Sequence, residues 1–195
     1  MCIRDSSEVK EIYLDKSELH RLIEYTKRFA PTSKEYQILK MYQFSCFCGL
    51  RFSDAMDLEW RHIDFQNNLI RKIMIKTKTE VITPLFPMAC EILLEKIRNK
   101  AINESDKVFY QFSEPTVNQT LRKQTRLAGI DKHITYHSSR HTFATLLVMD
   151  GVDIYKISKY LGHKSVNMTQ RYLKYDLSIA KESAKDISTF SGNKG

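Results

Sequence analysis

Two arginines occupy positions that ordinary core packing disfavours. With a helix starting near Ser139, Arg140 shares a face with Phe143, Ala144 and Leu147. A guanidinium on a core-facing stripe is costly unless an anion meets its charge. Arg51 repeats the pattern, sharing a stripe with Ala55 and Leu58 where a helix begins there. Buried salt bridges would satisfy such groups, Arg51 with Asp54 or Glu59 for example. So would a pocket for phosphate, whose oxygens match a guanidinium fork bidentately as lysine cannot. His137 lies one helical turn before Arg140, so both can meet the same ligand. His137 and His141 are four apart, a zinc spacing, but the metalloprotease helix needs a glutamate where Ser138 stands. His163 and Tyr172, nine residues apart, would face opposite ways on one continuous helix. They converge only if the chain turns between them, and Gly162 with Ser165 as a following N-cap supplies the break.

These residues need elements to hold them. Asp15 or Ser17 can cap a helix carrying Leu19, Leu22, Ile23 and Phe29 at helical spacing, which Pro31-Thr32-Ser33 ends. A second helix is predicted from about Lys34 to Cys48, apolar nearly all round in its later half and therefore central, with Gly49 as its C-cap. A short helix follows from about Ser53 to Trp60. Leu69–Lys76 and Val81–Thr83 read as the arms of a hairpin with Thr77–Glu80 at its tip. Helices return at about Pro87–Ala101, Pro115–Ala128, Ser139–Met149, Asp153–Leu161 and Val166–Leu173. Beyond Asp176, Leu177, Ala180, Ala184 and Ile187 form one stripe of a short amphipathic helix. The expected class is α+β, mainly helical, with a small antiparallel sheet. Residues 1–13 read as a leader outside the fold, 14–175 as one catalytic domain and 176–195 as a tail.

Length and composition set the frame. The chain has 195 residues, enough for one ordinary domain and hardly for two. No apolar run approaches the roughly 20 residues that span a bilayer, and no signal-peptide pattern opens the chain. A cytoplasmic protein is expected. The formal net charge of +8 raises the prior for a polyanionic partner without naming one. Cys2, Cys46, Cys48 and Cys90 fit no disulfide framework and read as reduced thiols, the middle two buried.

Taken in order, Gly49-Leu50-Arg51-Phe52-Ser53-Asp54, His137-Ser138-Ser139-Arg140 and Leu161-Gly162-His163 through Arg171-Tyr172 resemble the signature of the tyrosine recombinases, the lambda-type integrases and Xer-type resolvases. The resemblance runs from about Leu14 to Tyr175. It implies a catalytic set of Arg51, Lys76, His137, Arg140, His163 and Tyr172, with Asp54 where a supporting acidic residue is common. Lys76 is preferred to Lys78 because Lys76-Thr77 precedes Val81-Ile82-Thr83-Pro84-Leu85 at a spacing similar to that of the family's hairpin lysine.

The same resemblance implies a reaction. Tyr172 attacks a DNA phosphodiester and forms a 3′-phosphotyrosyl link, with no cofactor and no metal. Arg51 and Arg140 bind the non-bridging oxygens, Lys76 protonates the leaving 5′-oxygen, His137 assists proton transfer at the tyrosine hydroxyl, and His163 donates to the phosphate. The partners implied are double-stranded DNA and further copies of the chain, a homo-oligomer that is tetrameric on paired sites; no membrane is involved. Strand relaxation of the type IB topoisomerase kind is a second reading, although that pattern usually places more residues between the arginine block and the tyrosine. A non-catalytic DNA-binding relic is a third, and the full complement of six catalytic-type residues argues against it.

Overall fold

The computed structural model describes residues 12–98 and 101–173. Its helices begin where a local cap is available. Asp15 accepts from the Glu18 N–H while the Glu18 carboxylate accepts from the Asp15 N–H, a capping box that opens α1, Lys16–Thr26. Ser33 caps α2, Lys34–Cys48, and Gly49 closes it in the left-handed region at φ 69°. Around α2 pack α1, α4 (Pro87–Ile97), α5 (Glu114–Leu127) and α6 (Tyr136–Met149). Being surrounded, α2 buries residues on every side, from Ile38 and Leu39 to Phe44 and Cys48. Burial raises the Cys46 and Cys48 thiols, the latter to about 12, so both stay protonated.

Three short strands form an antiparallel sheet in the order β1 (Ile63–Asp64), β2 (Leu69–Ile73), β3 (Glu80–Pro84). Ile70 pairs with Thr83 and Lys72 with Val81, and these four point inward, while Arg71, Ile73 and Ile82 point out. The sheet docks on α7, Ile154–Leu161: the Thr83 hydroxyl donates to the Tyr160 carbonyl at 3.2 Å. Gly162 ends α7 at φ 59°, and a Cβ there would lie 2.6 Å from Val81 Cγ2. Absence of a side chain thus permits both the helix stop and the close approach of the sheet.

Several expected boundaries move. The helix expected over Ser53–Trp60 is only α3, Phe52–Met56, because Leu58 and Trp60 exchange backbone hydrogen bonds with Val108 and Asp106. Those bonds draw residues 58–60 out of the helix, and Trp60–His62 forms a single 3₁₀ turn instead. The first hairpin arm is shorter than expected, the second extends one residue further at each end, and the tip is longer. The Met74 N–H donates to the Thr79 carbonyl and the Lys78 N–H to the Met74 carbonyl, so Lys76 lies in the turn rather than on a strand, together with Lys78, which was expected there. Strand β1 was not among the expected elements. The last described helix, α8, is Asn167–Gln170 rather than Val166–Leu173, and its N-cap is Val166 rather than Ser165. The amphipathic stripe beyond Asp176, Cys2 and most of the leader lie outside the described residues. No helix among the described residues is long and apolar enough to cross a membrane.

Candidate active site

Arg140 sits on the inward face of α6 with Phe143 and Ala144, and is 3% exposed. Its guanidinium donates to the Gly49 carbonyl at 2.7 Å and also to the Leu161 carbonyl. Those carbonyls close α2 and α7, where the last turn leaves acceptors unpaired and the helix dipole is negative. Two helix ends therefore hold the guanidinium without neutralising it. Burial first, and then the charge of Arg51, push Arg140 down to about 9, with Tyr172 and Asp54 acting in the opposite sense. It remains a cation at neutral pH in a recess short of negative charge.

Arg51 is the N-cap residue of α3, half-buried, with Nη1 buried and without a hydrogen-bond partner. Among the described residues neither arginine forms an ion pair, so the salt bridges of Arg51 with Asp54 or Glu59 are not made. Asp54 is fully buried and does something else. Its Oδ1 accepts from the Ile75 N–H at 2.8 Å, tying α3 to the hairpin tip one residue before Lys76. Lys76 itself is exposed at that tip. The hairpin's root is clamped separately: buried Lys72 donates to Asp57 Oδ2 at 2.6 Å and Lys107 to Asp57 Oδ1 at 2.7 Å.

The C-terminal stop of α7 turns the chain as the spacing of His163 and Tyr172 required. The His163 N–H donates to the Ser158 carbonyl at 3.1 Å, and its Nδ1 lies 2.7 Å from the Thr169 hydroxyl. Burial, then Arg140, Arg51 and Arg171, hold His163 down at about 3, so the ring is neutral at neutral pH. In the tautomer in which the Thr169 hydroxyl donates to Nδ1, the ring proton is on Nε2. Tyr172, 2% exposed, packs its ring with Phe143, Ala144, Val148, Ile157 and Leu161. Its hydroxyl lies 2.9 Å from His141 Nδ1.

His141 is the residue that the sequence reading missed, having weighed it only as a metal ligand. Its signal was the place four residues after His137 on one helix face, but nothing local connects it with a tyrosine 31 positions away. His137, given the tyrosine hydroxyl by the resemblance, is exposed near the start of α6 and meets the edge of the His141 ring, centroids 4.7 Å apart. Partial desolvation of the ring, then Arg140, Arg51 and Arg171, lower its pKa. Arg51, Arg140 and Arg171 act electrostatically on both His137 and His163, and Arg140 in turn feels Tyr172 and Asp54, so these groups form one cluster. Lys76 belongs to it only through the Asp54 tether. Such a cluster can bind a tetrahedral anion and present neutral imidazoles and a phenol to it. Among the described residues no group of three or more potential ligands is placed to hold a metal ion.

Residues 13–177 match the phage integrase family. A tyrosine recombinase of Pseudothermotoga lettingae is 32% identical over 164 residues, 83% of this chain and 55% of that protein. The chain thus spans about half the length of that relative. The XerH site-specific recombinase bound to difH substrate in a pre-cleavage complex superposes with a TM-score of 0.68 at 21% identity, covering 88% of this chain and 53% of that one. The catalytic domain of bacteriophage HP1 integrase gives a TM-score of 0.62 at 21% identity, over 92% of this chain and 96% of that domain. The mainly helical fold with its small antiparallel sheet is the one these proteins share.

Proposed function

Since the chain belongs to the phage integrase family, we propose that it is a site-specific DNA recombinase that cuts and rejoins DNA through a 3′-phosphotyrosyl intermediate. One observation carries the reading. Two arginines lacking any ion pair among the described residues lie within electrostatic range of neutral His163, and Arg140 within range of Tyr172 as well. The negative charge these guanidiniums lack is what a DNA phosphodiester supplies.

In the forward step Tyr172 Oη gives up its proton to a histidine of the site and bonds to phosphorus, and the bond from phosphorus to the 5′-oxygen breaks. Lys76 gives that oxygen a proton, which leaves as a 5′-hydroxyl. Arg51 and Arg140 hold the non-bridging oxygens and the charge that builds on them, and Nε2 of His163 donates to the same group. Attack by the 5′-hydroxyl of another strand releases the tyrosine and completes the exchange. The phosphodiester energy is stored in the covalent link, so the step calls for neither ATP nor a metal ion. Residues 14–175 form the catalytic domain in this reading, acting in the cytoplasm on double-stranded DNA, with four protomers on a pair of sites.

The test is covalent trapping. A nicked DNA carrying the target site, incubated with the protein in excess EDTA, should give an adduct that survives denaturation, and Tyr172→Phe should abolish it while DNA binding persists. An adduct that survives Tyr172→Phe and is lost with Tyr175→Phe, or strict dependence on added magnesium, would overturn the reading.

A further inference from the structure

The tyrosine hydroxyl needs a proton acceptor, since an unperturbed phenol has a pKa of about 10 and little phenolate forms at neutral pH. His137 is the residue that the motif offers for this, but the structure puts a different imidazole on the reacting oxygen. His141 Nδ1 lies 2.9 Å from Tyr172 Oη, within direct proton-transfer reach. His137 touches the His141 ring edge-on and is more exposed.

We propose that His141 is a catalytic residue, accepting the Tyr172 proton as Oη bonds to phosphorus and returning it when the strand is resealed. The assignment rests on Tyr172 being the nucleophile. Atoms balance across the step: the phenolic proton moves to His141 Nδ1, the bond from Oη to phosphorus forms, the bond to the 5′-oxygen breaks, and Lys76 supplies that oxygen's proton. Rejoining runs each transfer backwards. His137, stacked edge-on against His141, keeps the ring turned toward the tyrosine.

The surroundings suit the role. Among the described residues two helices supply charged groups near His141: His137 and Arg140 on its own α6, and Arg171 at the end of α8, whose guanidinium also lies 5.9 Å from the Tyr172 ring centroid. Burial, then His137, Arg171 and Arg140, hold His141 at about 4, so the ring is neutral at neutral pH. An entering phosphodiester places negative charge among the same arginines and makes the imidazole a stronger base. The base is therefore weak while the recess is empty and strengthens when DNA fills it, which limits ionisation of Tyr172 without substrate.

Single-turnover adduct formation on the nicked DNA distinguishes the possibilities. His141→Ala should slow adduct formation at neutral pH by on the order of a hundredfold, with DNA affinity retained. Its rate should climb about tenfold per pH unit as hydroxide replaces the missing base, a steeper rise than in the unsubstituted protein. His141→Asn places an amide where Nδ1 stood, keeping a hydrogen bond but accepting no proton, and should remain as slow as alanine. It also serves if His141→Ala melts early. Recovery of the full rate by asparagine would reduce His141 to a tether. An unchanged rate and pH profile in His141→Ala, with both altered in His137→Ala, would move the base to His137; each outcome overturns the proposal and leaves the Tyr172 reading standing. Persistence of the adduct in Tyr172→Phe would instead remove that reading.

Discussion

Arg140 donates to the Gly49 carbonyl at 2.7 Å across 91 positions of sequence, so the residue that ends the central helix also seats the most buried cation of the recess. The carbonyl is available because α2 stops there. Gly49 holds a left-handed φ of 69°, and a Cβ on it would lie 2.5 Å from Phe143 Cδ1 and 3.0 Å from Leu161 Cδ2. Gly49→Ala should therefore combine a strain of about 1–2 kcal/mol from the backbone with an overpacking cost of about 1–3 kcal/mol. Urea denaturation should show that loss. Adduct formation should also fall under conditions where the variant is still folded, because the Arg140 acceptor moves with the backbone.

The guanidinium of Arg140 donates to the Gly49 and Leu161 carbonyls, and in the proposed reaction its remaining N–H groups meet the phosphate. Arg140→Ala should slow cleavage by on the order of a hundred- to a thousandfold, with a smaller change in DNA affinity. Arg140→Lys should recover little, since a point charge cannot bridge two carbonyls and a phosphate. Full activity in Arg140→Met would mean that the residue is structural only.

Lys76 and Lys78 share the hairpin turn, and the two can be separated chemically. A substrate with sulfur in place of the bridging 5′-oxygen leaves as a thiolate, whose acid has a pKa of about 8.5 and needs no proton donor. Lys76→Ala should be slow on the oxygen substrate and recover on the sulfur one, while Lys78→Ala should be near normal on both. Recovery confined to Lys78→Ala would exchange the roles.

The Asp57 carboxylate, hydrogen-bonded first by Lys107 and then by Lys72, is held down at about 2. A carboxyl whose pKa falls on folding adds stability above its unfolded value, about 3.9, and loses it as pH drops toward the folded value. Asp57→Asn should thus flatten the fall in urea midpoint between about pH 5 and pH 2. The side chain is 44% exposed, so solvent screening keeps this pH-dependent part to about 1 kcal/mol or less. At neutral pH the larger loss comes from Lys72, 3% exposed and left without its carboxylate, and Asp57→Asn with Lys72→Met should regain much of it. If the single and double variants lose equally, the clamp at the hairpin root is not what holds Lys72.

Much was legible in the sequence because it is local. Asp15, Ser33, Gly49 and Gly162 mark helix ends by the conformations and hydrogen bonds their own residue types allow, and α2 reads as central because its apolar residues surround it. The anomaly of Arg140 was equally visible, since a charge at helical spacing from Phe143 and Ala144 must be met by something. What meets it was not visible: two carbonyls at the ends of helices 91 and 21 positions away, rather than the acidic residues nearby. The early end of α3 depended on backbone pairing with residues 106–108, and the turn around Lys76 on hydrogen bonds between Met74 and Thr79. His141 shows the division most clearly. Its spacing put it on a face with His137, but its contact with Tyr172 exists only because Gly162 turns the chain after α7 and the tyrosine ring packs among the apolar side chains of α6 and α7. Short-range propensity determines where elements start and stop; which side chain meets a given hydroxyl depends on packing between segments that are distant in the chain.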